Sequence, residues 1–82
     1  MRELWYFSAP WCGPCKMFGP VMDRVSSQGI PVKKVNIDYE PDVITKFGVK
    51  SVPTVILVEN GEEVSRFVGA KSGQQVIDLY NG

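Results

Sequence analysis

The chain has 82 residues, 44% of them hydrophobic and 22% charged, with 9 Lys and Arg balancing 9 Asp and Glu for a formal net charge of +0. That length supports one domain with one modest core over residues 1–82, and the charge balance gives no electrostatic case for nucleic acid or an anionic membrane as partner. No stretch approaches the length of a membrane span, and Met1-Arg2-Glu3 leads into a short apolar run without a secretory h-region, so the expected place of work is the cytoplasm.

Leu4-Trp5-Tyr6-Phe7 is a compact apolar run that ends at Ser8-Ala9-Pro10 and reads as a buried strand. Pro14 suits the first turn of a helix, where its missing N–H has no partner to lose, and Phe18, Met22 and Val25 recur on one face until Gly29. Met17, Phe18 and Met22 are assigned to the core, and Pro20 should kink this helix. Val32 to Ile37 reads as a second strand, after which Pro41-Asp42 opens a short helix that turns Val43, Ile44 and Phe47 inward before Gly48 ends it.

Beyond the second helix the pattern changes. Thr54 to Val58 is a continuous apolar strand, and Asn60-Gly61 is a strong hairpin signal, so a strand from about Glu63 to Val68 should run back antiparallel. Ser72 with Gln75 three residues on forms a capping box, and Val76, Ile77 and Tyr80 give the last helix its apolar face. The expected order is β-α-β-α-β-β-α around a four-stranded mixed sheet, an α/β architecture with no internal repeat, linker or low-complexity tract.

The chemistry sits in Ala9 to Pro20, APWCGPCKMFGP, which holds both cysteines, Cys12 and Cys15. A bridge across so small a loop removes little freedom from the unfolded chain, so a purely structural disulfide is a poor reading. A structural zinc site wants four ligands drawn mostly from Cys and His, and this chain offers 2 Cys and 0 His. A metal or cluster shared between two chains of a symmetric dimer is the one metal arrangement that inventory allows. Passive cysteines seldom come as a pair at a helix start, whereas a close pair in a reducing compartment is suited to cycling between dithiol and disulfide. Cys12 precedes the first helix, whose N–H groups favour its thiolate, so Cys12 is the expected exposed nucleophile and Cys15 the more covered thiol that resolves the mixed disulfide.

Trp11-Cys12-Gly13-Pro14-Cys15-Lys16 resembles the active-site signature of the thioredoxin family, and Ser51-Val52-Pro53-Thr54 is similar to that family's cis-proline loop. Lys34 to Asp38, Asn60-Gly61-Glu62 and Val68-Gly69-Ala70 carry the likeness through the rest of the chain. The resemblance implies a thioredoxin fold and a monomeric protein-disulfide reductase that binds no cofactor or metal and works through a redox-active Cys12–Cys15 disulfide. Thioredoxin reductase would recharge it, and disulfide-containing proteins would be its clients. It implies that Gly13 and Pro14 keep the active-site loop tight, and that Trp11, Val52, cis Pro53, Gly69 and Ala70 form the surface that binds substrate.

Two features depart from the family pattern. The chain begins at the strand leading into the cysteines, without the family's usual first strand and helix, which makes it glutaredoxin-sized and leaves Val32 to Ile37 as a sheet edge guarded by Lys33 and Lys34. The buried carboxylate that the family places six residues before the first cysteine is replaced by Tyr6, so that proton acceptor is missing, and Lys34, its usual partner, is expected to be a solvated edge charge. Lys16 reads either as a charge near the thiolate or as a helix-surface lysine. Two other functions fit the same chain: a glutaredoxin-like enzyme recharged by glutathione, and a binding subunit that docks one partner through Trp11 and Pro53 without thiol turnover. Gly13-Pro14 and Gly69-Ala70 weigh against glutathione, because glutaredoxins carry Pro-Tyr and a Gly-Gly-x-x-Asp stretch at those places.

Overall fold

The sheet follows from the two-residue period of its strands, seen in a computed structural model that describes Met1–Gly82. Strand β1 (Arg2–Ser8) sends Leu4 and Tyr6 to one face and Trp5 and Phe7 to the other, because successive side chains of an extended backbone point in opposite directions. Strand β3 (Thr54–Glu59) divides Val55 and Leu57 from Ile56 and Val58 in the same way, and none of the four is more than 2% exposed. A strand covered on both faces has no polar phase, which is why this segment is apolar without interruption.

Strand β2 (Val32–Asn36) lies parallel to β1, and β3 and strand β4 (Glu62–Val68) follow antiparallel, in the order β2-β1-β3-β4. The parallel step requires a crossover, supplied by helix α1 (Gly13–Ser27). The β3–β4 hairpin turns at Asn60 and Gly61, both at positive φ, 54° and 84°, as a two-residue hairpin that matches strand twist demands. A register shift at Leu57/Val58 puts an irregularity in this hairpin.

One face is covered by α1 and helix α3 (Gly73–Asn81), where Phe18, Met22, Val25 and Val76 pack on Leu4, Tyr6, Val55 and Leu57. Helix α2 (Pro41–Phe47) serves the other face, and Phe47 and Val49 close over Phe7, Val35, Ile56 and Val58. Each such side chain contributes about 1.5–3 kcal/mol by leaving water. Gly48 stops α2 in the left-handed conformation at φ 61°. At the start of α3 the Gln75 N–H donates to Ser72 Oγ at 3.2 Å, and the Ser72 N–H donates to Gln75 Oε1 at 3.0 Å, completing the expected capping box. Arg66 on β4 pairs with Glu63 and donates to the Phe47 carbonyl, tying the hairpin to the end of α2.

The element order and the mixed four-stranded sheet are as expected, while several details differ. Strand β1 begins at Arg2 rather than Leu4, because β3 runs on to Glu59 and offers ladder partners to Arg2 and Glu3. Ile37 falls outside β2, in a turn where Asn36 Oδ1 accepts the Asp38 N–H at 2.9 Å, an interaction that competes with the ladder. Pro20 lies within α1, which continues to Ser27. Met17 is not in the core: it is 82% exposed, because the inward stripe of α1 is filled by Cys15, Phe18, Met22 and Val25 and Met17 lies off it. No helix is long and apolar enough to cross a membrane.

Candidate active site

Cys12 is the N-cap of α1, with extended backbone at φ −84° and ψ 114°, and Cys15 stands in the first helical turn. Residues three apart at a helix start face one another, and here they are joined as a disulfide with Cα atoms 5.3 Å apart. The Cys15 N–H donates to Cys12 Sγ at 3.3 Å, so the sulfur occupies the place of a capping oxygen and takes up one of the helix's unsatisfied N–H groups. That donor and the helix dipole both favour negative charge on Cys12 when the bridge is open.

The expectation of an exposed Cys12 beside a covered Cys15 is corrected by the structure, in which the two are 5% and 6% exposed. What separates them is the opening that each residue borders. Cys12 lines a cleft of about 430 Å³ together with Trp11, Gly13, Pro14, Ile37, Lys50, Ser51 and Val52. Cys15 lines a second cavity, of about 310 Å³, with Tyr6, Ser8, Lys16, Lys34 and Asn36 among its walls. The two bridged residues therefore border different openings.

On the Cys12 side, Trp11 is 66% exposed and its indole N–H donates to Asp38 Oδ1 at 3.3 Å, which fixes the ring plane at the rim. The Val52-Pro53 peptide is cis. Val52 reaches the cleft, whereas Pro53 is buried behind it. Two hydrogen bonds hold this loop: the buried Thr54 hydroxyl donates to the Ser51 carbonyl at 2.7 Å, and the Gly69 N–H donates to the Pro53 carbonyl at 2.9 Å. Gly69 sits at φ 94°, a conformation that glycine adopts without a Cβ penalty. Neither Gly69 nor Ala70 is among the residues lining the cleft, and Gly69 is tied to the loop by its hydrogen bond to Pro53. A Cβ on Gly13 would meet nothing within 4 Å, so the tightness of the loop does not come from a steric need for glycine there.

Tyr6 lies beneath Cys15, 3% exposed, with its ring edge-on to Phe18 at 5.5 Å and its hydroxyl donating to the Cys15 carbonyl at 3.4 Å. Burial pushes the phenol up from its ordinary value, the Ser8 hydrogen bond and the Lys34 charge pull it partly back, and Asp23 pushes it up. Tyr6 is thus a proton donor at neutral pH and cannot serve as the base that the family's carboxylate supplies. Lys34 is exposed, as expected for an edge charge, but it is not simply solvated: it pairs with Asp23 of α1 and forms part of the Cys15-side wall. Lys16 lines the same wall. No cluster of three or more His, Cys, Asp or Glu side chains could hold a metal ion.

Lys50, Ser51, Ile37 and Asp38 were not singled out from the sequence. Lys50 and Ser51 directly precede Val52-Pro53, and Ile37 and Asp38 follow the carboxyl end of β2, the place where open parallel sheets bind ligands. Either signal could have found them.

Comparison with known proteins agrees with this geometry. The thioredoxin family model matches residues 2–81. The chain is 44% identical over 77 residues to a thioredoxin of Chlamydia caviae, covering 92% of this chain and 76% of that protein, and 40% identical over 78 residues to a thioredoxin of Haemophilus influenzae, covering 92% and 73%. Among solved structures, a mutant thioredoxin from Halobacterium salinarum superposes with a TM-score of 0.91 at 34% identity, covering 98% of this chain and 72% of that one. A malaria parasite thioredoxin-2 gives 0.90 at 32% identity, covering 99% and 82%. With the CxxC pair bridged at the head of α1 and the sequence match running nearly end to end, the chain belongs to the thioredoxin family and is a thiol–disulfide oxidoreductase that reduces protein disulfides.

Proposed function

We propose that residues 1–82 work as a single monomeric domain in which Cys12 attacks client disulfides, Cys15 resolves the product, and thioredoxin reductase restores the dithiol. The observation that carries the division of labour is that Cys12, the cap of α1, lines the cleft beside Val52, while Cys15 lines a different cavity. The Cys12 thiolate attacks one sulfur of the client disulfide, forming a mixed disulfide and releasing the other client sulfur as a thiolate. Cys15 then loses its proton and attacks Cys12 Sγ. The Cys12–Cys15 bond forms, the second client sulfur leaves, and two electrons and two protons have passed to the client as two thiols.

Trp11 supplies a flat contact at the rim, Gly13 and Pro14 line the cleft beside it, and the Val52 backbone offers an extended client segment a short strand-like pairing. Pro53 and Gly69 hold that edge through the Gly69 to Pro53 hydrogen bond, and Ala70, next in the chain, is assigned to the same client surface by the family resemblance. A pair that serves reduction belongs where thiols are kept reduced, so the proposed compartment is the cytoplasm.

Trapping tests the assignment of roles. Cys15→Ser should accumulate mixed disulfides with client proteins and Cys12→Ser should not, and trapping by Cys12→Ser would reverse the roles. Parallel assays with NADPH and thioredoxin reductase, and with glutathione and glutathione reductase, identify the electron donor. Faster turnover with glutathione would replace the proposed partner.

A further inference from the structure

The cleft on the Cys12 side is lined by one charged side chain, and that side chain is in no ion pair. Its walls at Trp11, Gly13, Pro14, Ile37, Ser51 and Val52 are uncharged, and the exception is Lys50, which is exposed. Lys50 takes no part in the three ion pairs of the molecule, Arg2–Glu59, Lys34–Asp23 and Arg66–Glu63. The acid on the same rim, Asp38, keeps its charge while accepting the Trp11 indole N–H, and it forms no ion pair with Lys50. The whole chain has a formal net charge of +0, so any preference for client charge must come from such a local group and not from the protein's overall field.

We propose that Lys50 is a specificity-determining residue, selecting clients that carry Asp or Glu within about three residues of the cysteine attacked by Cys12. This rests on the cleft being the client site. Lys50 and Val52 line the same cleft only two positions apart in the chain, so a segment laid along Val52 passes within reach of the long, flexible Lys50 stem. Clients with an acidic neighbour meet an unpaired ammonium, and clients with a basic neighbour meet repulsion. An exposed pair of this kind changes transition-state binding by about two- to fivefold and is screened by salt.

The test uses three peptides that differ at the residue two positions from a single cysteine, which is Glu, Gln or Lys. The cysteine is activated as a 2-pyridyl disulfide, whose neutral thiopyridone leaving group is read by absorbance. Attack by Cys12 forms the Cys12–peptide disulfide, breaks the bond to the pyridyl sulfur, and leaves the proton on thiopyridone. Second-order rate constants with excess reduced protein should fall in the order Glu, Gln, Lys, by about threefold at each step. In Lys50→Gln both ratios should collapse to about one, and in Lys50→Glu the order should invert. Lys46→Gln removes the same charge from α2, away from the cleft, and should keep the parent ratios. Each ratio is divided by the same ratio measured with a small neutral thiol, which removes intrinsic differences among the peptides. Ratios that persist in Lys50→Gln, or that shift equally in Lys46→Gln, overturn the assignment while leaving the oxidoreductase reading intact. Failure of the parent to release thiopyridone from any peptide overturns that reading and this inference together.

Discussion

Tyr6→Asp puts a carboxyl where the family has one and this chain has a phenol, and its consequences can be worked from the packing. Tyr6 is 3% exposed, lies edge-on to Phe18 and belongs to the cluster of Leu4, Met22, Val25, Val55, Leu57 and Val76. Truncating a buried aromatic costs about 3–5 kcal/mol where the space stays empty. Here the Cys15-side cavity already borders Tyr6 and water can occupy the gap, so about 2–3 kcal/mol is expected with the new carboxyl protonated. Charge adds a second cost. Desolvation raises the carboxyl above its model value, and each unit of that rise removes about 1.4 kcal/mol once the group ionises. An acid whose folded pKa is raised contributes its stability below the unfolded pKa, about 3.9, and loses it as pH climbs through the folded value. The gap between parent and variant should therefore be smallest at pH 4 and wider at pH 8, measured by urea denaturation of the oxidised proteins. The same carboxylate would give Cys15 a local base, so resolution of a mixed disulfide, followed by stopped-flow tryptophan fluorescence, should speed up with a midpoint at the raised pKa. A variant as stable as the parent at both pH values, with an unchanged resolution profile, would mean that no side chain at this position governs the space beneath Cys15.

Glu63→Gln should show the opposite pH trend. The Arg66 hydrogen bond holds the Glu63 carboxyl below its usual range, so the pair stabilises the fold above the unfolded pKa, about 4.3, and that contribution disappears as pH falls through the folded value. Both side chains are 30% exposed, so the gap should be under about 1 kcal/mol at pH 7 and shrink as pH is lowered below about 4.3 in urea titrations. Ser72→Ala removes the oxygen that accepts the Gln75 N–H at the head of α3 and should cost about 1 kcal/mol, seen as a lower urea midpoint with an unchanged slope.

Local patterns carried the architecture. The uninterrupted Thr54–Val58 run, the Asn60-Gly61 turn, the Pro41 and Gly48 boundaries and the Ser72–Gln75 box each act within a few residues, so each is legible where it stands. The same holds for the pairing of Cys12 with Cys15, because helix geometry alone brings residues three apart together. Arrangements that depend on distant segments were decided by the tertiary structure. Lys50 and Ile37 share a wall because the β2 terminus and the Val52-Pro53 loop converge, although they lie 13 positions apart and neither segment's local pattern refers to the other. The near-equal burial of the two cysteines has the same origin. A spacing fixes which atoms can bond, whereas the solvent each sulfur sees is set by Trp11, Tyr6 and the Val52 loop, which only the closed fold brings to the bridge.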